Sequence, residues 1–193
     1  MARQPRNEVA GSTYHVTIHS VAEAAMVRTD RDRQLLVETL AETVKRYGWR
    51  CLGFCVLDTH YHLLVTTPEA NLGRGMQYLN GTYAQTFNRR HGRRGHLFSA
   101  RYWSKRVTSE AQLLLSVRFI ARNAFRAGIT FHPRLDRWSS YPRVIGTMSR
   151  WAFVAKTTLL EHFGRHPVAA VRRLIAFIEG RDSRPGDRRD APF

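Results

Sequence analysis

Short runs of alternating hydrophobic and polar residues are separated along the chain by longer stretches of helical periodicity. Residues 13–19 alternate as a half-buried strand does, whereas residues 31–47 carry apolar side chains at helical spacing and are followed by Gly48. The two periods predict seven elements in the order β-α-β-β-α-β-α. The predicted strands are 13–19, 49–57, 61–67 and 102–107, and the predicted helices are 31–47, 72–87 and 110–127.

This order of elements predicts an α+β fold, a ferredoxin-like antiparallel sheet with helices on one face. The short link Asp58-Thr59 between the second and third strands indicates a hairpin. Two further helices are predicted at 156–163 and 167–179. We therefore expect one domain over residues 1–150, a helical extension over 151–180, and a disordered basic tail over 181–193, where apolar residues are nearly absent.

Two histidines separated by one residue, His60-Tyr61-His62, lie at the start of the third predicted strand. Side chains in a strand alternate faces, so both imidazoles project the same way while Tyr61 points to the opposite face. Such a pair supplies half of a metal site. Two polar residues on the solvent face of a half-buried strand would show the same pattern, so the context has to decide.

The positive charge is concentrated in the second part of the chain. The formal net charge is +16, yet residues 1–69 carry eight basic and eight acidic residues, so the whole excess lies in 70–193. No acidic residue occurs between Glu69 and Glu110, and aromatic residues are interleaved with the basic ones there. This mixture is typical of proteins that neutralise phosphates and stack unpaired bases.

Nucleic acid is therefore the predicted partner. The predicted DNA-binding residues are Arg89, Arg90, Arg93, Arg94, Arg101, Lys105, Arg106, Arg118, Arg122 and Arg126. A membrane partner is not expected, because no long apolar run or lipidation signal occurs. The N-terminal residues lack the apolar stretch of an export signal, so we expect a cytoplasmic, nucleoid-associated protein.

The predicted helix 110–127 combines a buried apolar stripe with basic residues at every fourth position. Phe119 and Asn123 lie one turn apart between these two stripes. If this helix packs beside the strand with His60 and His62, Asn123 offers an amide oxygen to the same metal. Periodicity alone fits a surface or capping role for Asn123 equally well.

Several segments of the chain occur in the order in which a known family has them. They are His60-Tyr61-His62-Leu63-Leu64, Asn71-Leu72-Gly73-Arg74-Gly75-Met76, the basic segment from Phe87 to Phe98, Ala100-Arg101-Tyr102, Arg118 to Gly128, and Trp138-Ser139-Ser140-Tyr141. Together they resemble the REP-associated tyrosine transposases, which belong to the insertion-sequence-200-like single-tyrosine HUH transposases. The resemblance covers roughly residues 14–146.

The resemblance implies an enzyme that cleaves and rejoins single-stranded DNA carrying short palindromic hairpins. It implies that His60, His62 and Asn123 hold Mg²⁺ or Mn²⁺, which polarises the scissile phosphate. In the family, a tyrosine one turn before the amide ligand attacks phosphorus and forms a 5′-phosphotyrosine. That position is Phe119 in this chain.

A phenyl ring has no oxygen with which to attack phosphorus, so the resemblance leaves the catalytic competence of the chain open. The interpretation we favour is that the chain is a cleavage-deficient relative of these enzymes, retained for DNA or hairpin binding. Another tyrosine could replace the missing one, and Tyr61, Tyr83 and Tyr102 are the candidates. The remaining readings are an engineered Tyr-to-Phe trap and hydrolysis by a metal-activated water.

Other classes of function also fit parts of the sequence. A hairpin-binding regulator without catalysis needs only the basic residues and the aromatic ones. An RNA-binding module of similar topology would need exposed aromatic residues on central strands, for which Tyr14 is the candidate. A zinc site formed by His60, His62 and His96 is a further alternative. We expect a monomer or a homodimer.

Overall fold

The computed structural model describes residues 8–21 and 25–180, so the predicted tail at 181–193 lies outside the described residues. The predicted order of the first seven elements is confirmed. The strands are β1 (Ser12–His19), β2 (Arg50–Val56), β3 (His60–Thr67) and β4 (Trp103–Val107); the helices are α1 (Asp30–Arg46), α2 (Leu72–Arg90), α3 (Glu110–Arg126), α4 (Tyr141–Ile145), α5 (Lys156–Glu161) and α6 (Pro167–Glu179).

The four strands form one sheet in the order β2-β3-β1-β4, and all three pairings are antiparallel. β2 and β3 are adjacent in sequence and form the predicted hairpin, whereas β1 lies between β3 and β4. This is the ferredoxin-like arrangement expected from the order of elements. β1 and β3 are therefore the central strands.

The two faces of the sheet are covered by different helices. Tyr61 points toward α2, where its hydroxyl donates a hydrogen bond to Asn80, and α1 packs beside α2 on this face. α3 covers the opposite face, because the Phe119 ring contacts the rings of His15 and His62. The prediction that the helices lie on one face of the sheet thus holds for α1 and α2, whereas α3 lies on the opposite face.

The ends of α3 follow from its capping residues. The Ser109 hydroxyl accepts a hydrogen bond from the Gln112 amide at 3.2 Å, which satisfies one of the unpaired amides of the first turn. Gly128 ends the helix in the left-handed region at φ +70°, a conformation that glycine adopts without steric cost. The position of Asn123 within α3 is therefore determined by local sequence.

The chain after residue 150 packs directly on β2 and α3. Ala155 donates to the Cys51 carbonyl at 2.8 Å, so the chain after residue 150 covers the outer edge of β2. On α6, Leu174 and Ile178 are fully buried, and the Ile178 carbonyl accepts a hydrogen bond from Arg122 of α3 at 3.3 Å. α6 thus packs against α3.

Candidate metal centre

Four imidazoles lie on one face of the two central strands. Residues that are directly opposed in an antiparallel pair share a face, and His19 lies opposite His60 while Thr17 lies opposite His62. His15 is two residues before Thr17 and joins the same face. The sequence analysis singled out only the pair on β3, although the alternating polar residues of β1 were the signal that could have revealed the others.

His62 is buried, with 5% of its surface exposed. Its Nδ1 lies 2.9 Å from Thr17 Oγ1 and 3.3 Å from His15 Nε2. Burial lowers the pKa of His62 well below 6.5, and the nearby imidazoles of His15, His60 and His19 lower it further. The ring is therefore neutral near pH 7. With Nδ1 held by these neighbours, Nε2 is the nitrogen left to act as a ligand.

His60 is partly buried at the end of the same strand. Its Nδ1 lies 3.2 Å from Thr59 Oγ1, and its ring stacks on His19 with centroids 4.9 Å apart. Burial lowers the pKa of His60, as does the neighbouring His19, while a hydrogen bond with the Asn123 side chain acts in the opposite direction. This hydrogen bond places the amide of α3 beside the imidazoles of β3.

Phe119 lies one turn before Asn123, which is 9% exposed, and both side chains face the histidines. The Phe119 ring lies edge-on to His62, with centroids 5.0 Å apart. The guanidinium carbon of Arg126 lies 5.8 Å from the Phe119 ring centroid. The structure thus brings His60, His62, Asn123 and Phe119 together, which sequence reasoning could only suppose.

The donor set formed here fits a divalent cation with open coordination positions. Two neutral imidazoles and one amide oxygen leave room for water and a phosphate oxygen, and the mixture of nitrogen and oxygen ligands suits Mn²⁺ at least as well as Mg²⁺. Among residues 8–21 and 25–180, no group of three or more His, Cys, Asp or Glu is arranged to hold a metal. The side-chain amide of Asn123 on α3 lies beside the imidazole pair, to which it is joined by its hydrogen bond with His60.

The basic residues of α3 do not form one exposed stripe. Arg122 is only 7% exposed and reaches the C-terminal carbonyls of α6, and Arg118 packs over the Phe177 ring at 5.6 Å. The guanidinium of Arg126 packs over the Phe119 ring. In this conformation Arg122 supports the docking of α6, and Arg126 borders the candidate metal centre.

The basic loop, residues 89–96 from the last turn of α2 onward, lies at the N-terminus of α1, where His91 and Arg90 bond to Asp32. Arg90 forms an ion pair with the buried Asp32 at 3.3 Å, and Arg93 packs over the Phe87 ring at 5.9 Å. Arg89 and Arg94 are exposed. The loop is thus anchored by one of its arginines, while others remain available at the surface.

The predicted basic residues of β4 and the segment before it lie on different faces. Lys105 is opposite His15 and shares the face of the metal centre, whereas Arg106 is opposite Tyr14 and faces the other way. Arg101 lines a cavity of about 1240 Å³ between α2 and residues 95–102, together with His96. This cavity lies on the α2 side of the sheet, away from the four imidazoles.

Comparisons with known proteins show the family of the chain and its fold. The sequence family described as IS200-like transposases matches residues 8–123, which is more than half of the chain, so the chain belongs to this family. It is a family of metal-dependent HUH transposases. The matched region includes His60 and His62 and ends at Asn123. A search of curated proteins finds no match.

Two solved structures are similar to the chain. One is a REP-associated tyrosine transposase bound to a REP hairpin, with 15% identity over 79% of this chain and 90% of that chain, and a TM-score of 0.65. The other is a transposase candidate from Deinococcus radiodurans R1, with 18% identity, coverage of 57% and 90%, and a TM-score of 0.44. The first likeness confirms the predicted fold. In the described residues, no helix is long and apolar enough to cross a membrane.

Proposed function

We propose that this chain binds hairpin-bearing single-stranded DNA and holds one phosphate of the strand at a divalent metal bound by His60, His62 and Asn123. We further propose that it does not capture the strand covalently. The observation that carries the proposal is the convergence of these three residues around Phe119, the position to which the resemblance assigns the nucleophile.

Each residue has a separate task at this centre. His60 and His62 are kept neutral by burial, so that their nitrogens are available as ligands near pH 7. Thr17 orients the ring of His62 through Nδ1. A bound Mg²⁺ or Mn²⁺ would polarise a phosphate oxygen and neutralise charge that develops on it. Arg126, beside Phe119, adds positive charge on the helix side.

None of the three candidate tyrosines is placed to replace Phe119. Tyr61 faces α2 and is bonded to Asn80, and Tyr83 is buried with its hydroxyl donating to the Met26 carbonyl. Burial raises the pKa of both hydroxyls well above 10, which disfavours the nucleophilic phenolate. Tyr102 points to the α2 side, because its neighbour Trp103 lies on the face of the metal centre.

Two alternatives from the sequence lose their structural support. An RNA-binding sheet needs exposed aromatic residues on central strands, but Tyr14 is 4% exposed and lies on the face covered by α2. A zinc site with His96 needs that residue beside His60 and His62, whereas His96 lines the cavity on the other side of the sheet. Metal-assisted phosphate binding accounts for the observed constellation better.

The test is cleavage and binding of a labelled hairpin carrying a single-stranded flank, in Mg²⁺ or Mn²⁺. The variants are Phe119→Tyr, Phe119→Tyr with His60→Ala, and Phe125→Tyr, which adds a hydroxyl to a second half-buried ring of the same helix. We expect the unmodified chain to bind without cleaving. Of the variants, only Phe119→Tyr should form a covalent adduct: the tyrosine hydroxyl gives its proton to solvent as its oxygen bonds to phosphorus, the bond to the 3′-oxygen breaks, and that oxygen takes up a proton from solvent.

An adduct formed by the unmodified chain would overturn the placement of the nucleophile. Cleavage by the unmodified chain without an adduct would favour a metal-activated water. If the chain does not bind the hairpin at all, the proposed function is wrong. Equal behaviour of Phe119→Tyr and Phe125→Tyr would show that position 119 has no special access to the phosphate.

A further inference from the structure

Trp103 begins the edge strand β4 on the same face as the metal centre. It lies directly opposite Thr17, which orients His62, and its ring lies edge-on to His15 with centroids 6.1 Å apart. His15 Nε2 in turn lies 3.3 Å from His62 Nδ1, and the ring centroids of His15 and Phe119 are 5.7 Å apart. The side chain of His15 therefore connects Trp103 to His62, a candidate metal ligand, and to Phe119, the proposed nucleophile position.

The exposure of Trp103 distinguishes it from the other tryptophans. Trp49, Trp138 and Trp151 are 4%, 9% and 9% exposed, whereas Trp103 is 47% exposed. A large aromatic ring at the surface gains little for folding, because much of its apolar area stays in water. The same exposure suits a ring that receives a flat ligand.

The charge around Trp103 favours an anionic ligand. Lys105 follows two residues later on the same face and is exposed. The guanidinium of Arg126 packs over the Phe119 ring, which lies near His15. An aromatic platform accompanied by positive side chains is the arrangement that binds single-stranded nucleic acid without base-specific readout.

We propose that Trp103 is a stacking platform for an unpaired base next to the phosphate held at His60 and His62, with Lys105 contacting the adjoining backbone. The proposal rests on the proposed function and deepens it by assigning a base subsite to β4. Stacking needs only the π-face of the base, so this subsite accepts any base. The hairpin itself would be recognised elsewhere on the protein.

The experiment measures Kd for one hairpin with three kinds of end: a thymidine flank, the same flank made of abasic sites, and no flank. The abasic flank keeps the phosphates but removes the bases. Trp103→Ala should weaken binding of the thymidine flank by about 5- to 150-fold and leave the other two unchanged. Trp103→Phe should retain most of the affinity, and Lys105→Gln should weaken both flanked forms.

Intrinsic fluorescence gives an independent readout, because Trp103 is the exposed tryptophan of the four. We expect the thymidine flank to quench the fluorescence of the unmodified chain, and the quenching to disappear in Trp103→Phe. Val168→Ala on α6, which removes another exposed apolar side chain, serves as the control and should change nothing. Thermal unfolding of each variant verifies that the sheet is intact.

The outcomes separate the two proposals. If the chain binds the flanked hairpin but Trp103→Ala binds it equally well, or if binding causes no quenching, the stacking platform is wrong and the proposed function stands. If the Trp103→Ala loss is the same for thymidine and abasic flanks, Trp103 acts on the backbone or on folding, and the base subsite is refuted. If no flanked hairpin binds, both proposals fail.

Discussion

The carboxylate of Asp32 is the anchor of the basic loop, and its replacement by asparagine tests how the loop is held. Asp32 lies in the first turn of α1 with a fully buried side chain. It accepts hydrogen bonds from the amides of Arg28 and Thr29 at 3.0 Å, and from His91 at 3.0 Å and Arg90 at 3.3 Å. Asp32→Asn removes the charge and turns one acceptor into a donor that faces other donors.

The size of the effect follows from the pKa of the carboxyl group. Burial by itself raises the pKa of Asp32, but the hydrogen bonds from His91, Arg28, Thr29 and Arg90 outweigh burial and lower it from 3.8 to about 2. This difference corresponds to about 2 kcal/mol of stabilisation of the folded state. Because the folded-state pKa is depressed, the stabilisation is fully present above about pH 4 and is lost as the pH falls through 2.

Urea unfolding from pH 7 to pH 3 measures the prediction. Asp32→Asn should lower the free energy of unfolding by about 2 kcal/mol at pH 7, and the difference from the unmodified chain should begin to shrink below about pH 4. The matched control is Asp30→Asn in the same turn, whose side chain is 55% exposed and forms surface ion pairs with Arg33 and Arg137, so its loss should stay below about 1 kcal/mol. Equal losses for the two variants, or a pH-independent Asp32 effect, would refute the reasoning.

Two further predictions concern the metal centre. Thr17→Val keeps the shape of the side chain but removes the 2.9 Å contact of Thr17 Oγ1 with Nδ1 of His62. Mn²⁺ affinity, measured by calorimetry on DNA-free protein, should therefore fall about 10-fold while the protein stays as folded as before. Unchanged affinity would mean that His15 alone orients the His62 ring. Burial lowers the pKa of His62 well below 6.5 and also lowers the pKa of His60, so Mn²⁺ affinity should fall less between pH 7.5 and pH 6.5 than it would for two imidazoles of ordinary pKa. A loss as large as two ordinary imidazoles would give would refute the lowering of these pKa values.

Local patterns were sufficient for the elements and for the face on which the histidine pair lies. The alternation around His60 and His62 requires both rings on one side of β3, and Tyr61 is indeed on the other side, under α2. Phe119 and Asn123 share a helix face for the same kind of reason, because they are four residues apart within capped ends.

The interpretation of the α3 arginines shows where a local pattern fails. Their spacing predicted one basic stripe, since every fourth residue of a helix lies on the same side. The pattern could not show that α6 covers part of this side, where Arg122 is buried against the Ile178 carbonyl. Burial depends on which distant segment packs there, and that segment is more than fifty residues away.

The sequence by itself determined the order of strands and helices, the histidine pair on one strand face, the Phe119–Asn123 spacing and the concentration of positive charge, because each depends on residues close in the chain. Only the tertiary structure decided that β1 pairs with both β3 and β4, which brings His15, Thr17 and Trp103 beside His62, and that α3 crosses the same face. Strand pairing and helix docking are set by long-range burial of apolar surface, and the period of a single segment carries no information about its partner.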